Sequence, residues 1–228
     1  MQPTFCPWAG FFNLIGKSES FVFLDDAQFQ KNSWHNRNQI LVNGEKHWLT
    51  MPVVQEKLEK KICETEFKDF EFWKKKHIKI IRQNYSKHAH FQDVDYFLNF
   101  YESLKVDNLA ELNIAVIRWF SNELKLSTSF YLSSEIGISG SRTERLIKIL
   151  EYLDTDIYLS PVGAKEYLIE DDFNTNTDVT LTFQEYESPE YQQKNAMTFI
   201  SHLSILDVIS NMGFLNAHQY VLGCEQGE

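Results

Sequence analysis

Residues 21–24, Phe-Val-Phe-Leu, are wholly apolar and end on two adjacent carboxylates, Asp25 and Asp26. A run this short, with no polar alternation, suits a strand covered on both faces, as in a parallel sheet flanked by helices. The carboxylates then fall where the strand ends. Desolvating an unpaired polar group costs roughly 1–3 kcal/mol, so polar side chains set against buried strands must be paired or must meet a ligand. The first fifty residues carry more of them, namely Gln2, Gln28, Asn36, Arg37 and Asn38, within an aromatic-rich apolar frame. This segment reads as half of an active site.

Residues 7–17 carry Trp8, Phe11, Phe12, Leu14 and Ile15 in a pattern compatible with a short helix, and Pro7 suits its first turn. Residues 1–5 are then the end of a short first strand that starts at Met1, which predicts strand, helix, strand. Residues 39–42 and 47–53, split by Asn43-Gly44, predict a β-hairpin with a primed turn. Residues 66–85 read as a helix, and 91–126 as two more. Residues 130–138 predict a strand with its loop. Ser141 with Glu144 predicts a capping box on a helix that runs to 153. A strand at 156–159 runs into Ser160-Pro161-Val162-Gly163-Ala164, a helical turn follows at 165–168, a late strand at 179–186, and a helix at 203–212 ending at Gly213. Together these predict an α/β fold: an open, mostly parallel sheet with flanking helices, plus a β-hairpin and a helical insertion.

A chain of 228 residues accommodates a single α/β domain over 1–228, with 66–126 as the mainly helical insertion. Net charge is 22 − 32 = −10, so nucleic acid and anionic membranes are poor partners. The basic clusters at 57–61 and 74–76 are short and mixed with acids, and read as solvated helix faces or else as a local patch for an anionic substrate or an acidic partner protein. No apolar run is long enough to span a bilayer, which excludes membrane insertion by a helix. Cys6, Cys63 and Cys224 are odd in number and far apart, which suits a reducing, cytoplasmic setting. Cys6 has to be weighed as a nucleophile, against the commoner fate of a buried free thiol. No His, Cys or carboxylate cluster has metal-ligand spacing, so neither metal nor other cofactor is expected.

In open α/β sheets ligands bind beyond the carboxyl ends of the strands. The predicted strand ends carry Gln2-Pro3, Asp25-Asp26, Ser133-Ser134 and Ser160-Pro161, four polar clusters on one edge. Asp25 and Asp26 are candidate bases or hydroxyl clamps; if the strand continues, only one faces a ligand. Arg37, flanked by amides, suits two-pronged recognition of phosphate or carboxylate, or else braces Asp25 or Asp26. His77 is a general base if it faces the strand ends, and otherwise a structural histidine. The Ser160–Gly163 loop precedes a helical turn and has the makings of a phosphate cradle or a plain turn. Arg142 and Arg145 lie near a helix start, where either can neutralise a diphosphate.

The run QPTFCPWAGFF, the block FVFLDDAQFQKNSWHNRNQI, and the segments WLTMPV, SPVGAKEYL and LSILDVISNMG resemble the bacterial WbqC-like proteins, in order and over nearly the whole chain. The resemblance places Gln2, Pro3, Pro7, Trp8, Gly10, Asp25, Asp26, Gln28, Asn36, Arg37 and Asn38 on motif positions. Farther on it does the same for His77, Tyr85, Ser160, Gly163, Tyr167, Asp207 and Asn211. Three departures stand out. Only Met1 precedes the Gln-Pro pair, where relatives carry several apolar residues. His88-Ala89-His90-Phe91 replaces a stretch often close to A-P-Y-F. Cys6 stands where a large apolar residue is usual, which weakens it as a nucleophile.

That family is associated with gene clusters for O-antigen and other surface polysaccharides. The resemblance therefore implies surface-glycan biosynthesis; because precursors of such glycans are nucleotide-linked sugars, the expected substrate is a nucleotide-activated amino sugar. Acyl or aminoacyl transfer without a covalent enzyme intermediate fits a chain with no convincing nucleophile. Asp25, Asp26 and His77 are then the catalytic candidates. Gln2, Trp8, Gln28, Asn36, Arg37, Asn38, Arg142, Ser160, Gly163 and Tyr167 are the substrate-binding ones. Expected partners are a nucleotide sugar or activated acyl donor, and an acyl carrier protein; oligomeric state is left open. The alternatives are a nucleotidyltransferase-like enzyme and a non-catalytic scaffold of the glycan assembly pathway.

Overall fold

A computed structural model describes residues 1–54 and 59–223. Lys57 of the first basic cluster and Cys224 lie outside the described residues. The opening helix α1 (Ala9–Gly16) buries every side chain from Ala9 to Ile15. A helix apolar all round belongs in a core rather than on a surface. Its one amide, Asn13, donates to the Val221 carbonyl at 2.8 Å and accepts from Gln184 at 2.8 Å. Gly10 lets the Trp8 indole fold back on the helix: a Cβ there would stand 2.2 Å from the ring. Gly10→Ala should therefore displace Trp8 from its 4.4 Å contact with His202 and cost about 1–3 kcal/mol through overpacking. A melting curve recorded by indole fluorescence checks both effects, and an unchanged Trp8 signal would contradict them.

Strand β1 (Ser20–Phe23) follows. Met1 lies alongside it in a parallel sense: its amino group donates to the Val22 carbonyl at 2.7 Å, and Leu24 N–H donates to the Met1 carbonyl at 2.8 Å. The hairpin is β2 (Arg37–Val42) and β3 (Glu45–Thr50), antiparallel with Arg37 opposite Thr50 and Gln39 opposite Trp48. Asn43 and Gly44 have φ of 52° and 85°, the primed turn that the Asn-Gly pair predicts.

Three helices come next: α2 (Phe70–Tyr85), α3 (Phe91–Ser103) and α4 (Leu109–Glu123). Helix α2 starts later than its periodicity suggests, because Asp69 caps it by accepting from Phe72 N–H, while Glu66 and Phe67 pair in isolated bridges. It buries Lys74, His77, Ile78, Ile81 and Tyr85, one face at helical spacing.

Strand β4 (Ser129–Leu132) pairs parallel with β1, and the expected loop after it is a helical turn, α5 (Ser133–Ile136). Helix α6 (Arg142–Tyr152) follows without the predicted capping box: Ser141 makes no side-chain cap, and Glu144 pairs with Lys148 at 2.6 Å. Strand β5 (Ile157–Ser160), helices α7 (Lys165–Glu170) and α8 (Phe173–Asn176), and β6 (Thr180–Phe183) close a second parallel pair. Helix α9 (Ile205–Leu222) breaks at Gly213, with φ of 74° and ψ of 166°, then resumes.

The fold is mixed α/β, with short parallel pairs flanked by helices and a hairpin. Its parallel strands form two separate ladders, β1–β4 and β5–β6. The crossover expected between β4 and β5 is not closed by a ladder among the described residues; α7 and α8 span β5 to β6 instead. Apolar side chains follow suit. One large cluster surrounds α1, β1, α4 and α9, and a smaller one joins Ile147, Leu150, Ala164, Leu168 and Phe173.

Candidate functional site

Because β1 and β4 run parallel with Phe23 opposite Leu132, their carboxyl ends emerge side by side. That alone brings Asp25-Asp26 to Ser133-Ser134, 108 positions away in sequence. Buried Asp25 accepts from the Ser134 N–H at 3.1 Å, the Ser134 hydroxyl at 2.6 Å and the Ser133 hydroxyl at 3.2 Å. Ser133 also donates to Asp26 at 2.5 Å. Arg145, from α6, donates to the other Asp26 oxygen at 2.6 Å and, through Nε, to the Ile138 carbonyl at 2.9 Å. Burial raises the Asp26 carboxyl; hydrogen bonds from Arg145 and Ser133 and the Arg145 charge outweigh it and leave it below the usual carboxylate range. Residues 60–63 lie against 25–29, with Cys63 N–H on the Asp25 carbonyl and Ile62 N–H on Ala27, both at 2.9 Å. Ser134 is exposed and Asp25 is not, so the serine hydroxyl links the buried carboxylate to the outside.

Gln2 follows the Met1 pairing, at the end of the Met1 segment next to the end of β1. Its side chain accepts from His35 Nε2 at 2.9 Å, while His35 Nδ1 accepts from Gln30 N–H at 3.2 Å. These two partners fix the Nε2–H tautomer. Burial pushes His35 down to about 4, so it is neutral at physiological pH. Asn36 and Asn38 point inward: Asn36 donates to the Met51 carbonyl at 3.0 Å, Asn38 to those of Phe5 and Cys6 at 3.1 and 2.8 Å. Arg37 points to the other side of the strand. It donates to the Asn32 carbonyl and lies 4.1 Å over the Trp48 ring. It does not brace Asp25 or Asp26, since the ion pair to Asp26 comes from Arg145.

His77 is buried, with Nε2 on the Thr50 carbonyl at 2.8 Å and Nδ1 on the Tyr101 hydroxyl at 3.1 Å. Both nitrogens are taken, and the ring fastens α2 to the hairpin. The Cys6 thiol is buried and pushed up to about 12 by desolvation, so it is no nucleophile at neutral pH. Trp8 packs on His202 and Tyr186. Exposed Gln28 bridges to Lys61 through the backbone. Ser160 is fully buried at the end of β5, where its carbonyl accepts from Gln184 N–H at 2.8 Å. Gly163 is exposed. Arg142 pairs with Glu170 and Asp171 at 3.6 and 3.4 Å and lies 5.7 Å over Tyr167. It borders a cleft of about 580 Å³ with Thr143, Lys148 and Asn176.

The structure thus joins Asp25, Asp26 and the serines, and joins Gln2 to His35. No hydrogen bond or ion pair among the described residues connects Arg142 or the Ser160 loop to these groups. Sequence reasoning passed over His35, although it stands in the polar block, and Asn113, which donates to the Pro3 and His35 carbonyls at 3.1 and 2.8 Å. An amide between Leu112 and Ile114 on a buried helix face was the available signal for Asn113.

A family model described as the WbqC-like protein family matches residues 2–219. The chain is 30% identical to Uncharacterized protein Rv1507c of Mycobacterium tuberculosis, over 99% of this chain and 97% of that protein. No solved structure matches it.

Proposed function

This chain belongs to the WbqC-like protein family, and on that footing we infer that it is a transferase of surface-polysaccharide synthesis that acylates the amine of a nucleotide-activated sugar. Family membership supports a polysaccharide-related role. The observation that carries the finer reading is the Ser134 hydroxyl 2.6 Å from the buried Asp25 carboxylate. In the proposed step the neutral sugar amine attacks the carbonyl of an activated donor, such as a thioester on coenzyme A or an acyl carrier protein. The new N–C bond forms and the C–S bond breaks. The amine proton passes through Ser134 to Asp25, which returns it to the departing thiolate, so the thiol leaves and the carboxylate is restored. Asp26, held ionised by Arg145, shares Ser133 with Asp25 and keeps that carboxylate oriented. No enzyme-bound intermediate is required, in keeping with the buried Cys6. Such donors and sugars belong to the cytoplasm, the compartment proposed here. No helix among the described residues is long and apolar enough to cross a membrane.

The test is a thermal-shift panel of nucleotide sugars, nucleotides and acyl donors. A ligand at 100 times its Kd adds about 2.7 kcal/mol, or roughly 5–10 °C for a chain of this size. A sugar and a donor that both raise the melting temperature should, when mixed, yield an N-acylated sugar detectable by mass. A panel in which neither nucleotide sugars nor acyl donors shift the melting temperature refutes the assignment.

A further inference from the structure

We propose that Trp34, Trp48 and Arg37 form the subsite for the nucleotide half of the substrate, with the base on the indoles and a phosphate on the guanidinium. This deepens the transferase reading and rests on it. Trp34 and Trp48 are 47% and 39% exposed, yet their rings stand 5.3 Å apart at 45°, forming an open aromatic wedge. Register explains the arrangement: Arg37 faces Thr50 and Gln39 faces Trp48, so Arg37 and Trp48 are diagonal neighbours on one face of the hairpin.

Arg82, Arg142 and Arg145 each have a carboxylate partner; among the described residues Arg37 and Arg118 have none, and Arg118 lies 5.7 Å over the Phe130 ring, away from the indoles. In a chain of net charge −10, a cation without an acid, set beside open indoles, suits an anionic ligand. The Arg37 Nε is among the buried polar atoms left without a partner, as are Asn36 Oδ1 and Asn113 Oδ1. Arg37 Nε belongs to the indole face; the Asn36 and Asn113 oxygens lie on the inward side and take no part in the subsite.

The wedge is tied to the strand-end cluster through the chain. Trp34 adjoins His35, His35 holds Gln2, and Gln2 follows the Met1 residue that pairs along β1 up to Leu24. A neutral sugar stacks on tryptophan but brings no charge for Arg37, whereas a nucleoside diphosphate brings both a π-face and phosphates.

The experiment is an indole-fluorescence titration of the full chain with uridine and guanosine diphosphates, and in parallel with a methyl pyranoside. A nucleoside diphosphate should quench. Trp34→Ala and Trp48→Ala should each weaken its binding about tenfold or more, with circular dichroism unchanged. Trp34→Phe, which keeps a ring, should retain most of the affinity and guards against a folding artefact. Arg37→Lys should bind as poorly as Arg37→Ala. Equal nucleotide affinity in wild type and both alanine variants would overturn the subsite while leaving the transferase reading intact. Quenching by the pyranoside but not the nucleotides would make the wedge a glycan surface and overturn the proposal. No binding of any nucleotide or nucleotide sugar would end both.

Discussion

On acidification from pH 6.5 to 4 the protein should lose several kcal/mol of folding stability, most of it above the range in which carboxylates of the unfolded chain titrate. His35, His77 and His88 are buried, and desolvation pushes each down to about 4. At His77 the Thr50 carbonyl opposes that push and Lys76 adds to it; at His88 Lys194 adds and Asn211 opposes. The unfolded chain binds protons on these rings near 6.5, so between 6.5 and 4 it holds more protons than the native state. Stability therefore rises with pH across that window and falls on acidification. His77 alone contributes up to about 3 kcal/mol, because both of its nitrogens are engaged in the interior. Asp207 works in the opposite sense. Burial raises its carboxyl against hydrogen bonds from Tyr191, Gln193 and Tyr85, so on acidification it takes up its proton earlier in the native state and offsets part of the loss. Denaturant melts at pH 7.5, 6, 5 and 4 measure the slope. His77→Gln, which removes the titration, should flatten the curve while lowering stability at pH 7.5. A free energy that stays level from pH 7.5 to 4 would contradict the assignment of neutral buried histidines.

Arg145→Ala should cost about 2–4 kcal/mol, below the full range for a buried pair because both side chains keep some solvent contact. The Arg145 and Asp26 side chains are 17% and 18% exposed and meet at 2.6 Å. Removing the guanidinium leaves Asp26 desolvated beside Ser133 and also frees the Ile138 carbonyl. Arg145→Lys should recover little, since one ammonium cannot reach both acceptors in the geometry of a planar fork. Arg142→Ala is the control. That side chain is 58% exposed, and its ion pairs should contribute less than about 1 kcal/mol. The pH signature differs from that of the histidines. Asp26 sits below its unfolded value, so its contribution is present above about pH 3.8 and is lost as pH falls through its native value. Wild type and Arg145→Ala should therefore converge at the acid end. Equal losses from Arg145→Ala and Arg142→Ala at pH 7 would show that the Asp26 pair is not the anchor of the strand end.

The sequence by itself determined the local elements and the edge on which polarity collects. The Phe-Val-Phe-Leu run became a parallel strand, Asn43-Gly44 became a primed turn, and Asp25-Asp26 came out beside Ser133-Ser134 at adjoining strand ends. These features are legible because apolar runs and turn residues act on their nearest neighbours. Partner choice is not local, and only the tertiary structure decided it. Asp26 drew Arg145 from 119 positions away, while Arg37, a dozen residues from Asp25, turned outward onto Trp48. His77 lies on the apolar face its spacing indicates, yet whether that face met a ligand or the Thr50 carbonyl depended on how α2 packs against the hairpin. The Ser160 loop closed over its own smaller apolar cluster, because β5 paired with β6 rather than with β4. Charge and hydrogen-bonding capacity can be counted along a chain, but the partner that satisfies each group is set by which buried surfaces meet when the core forms.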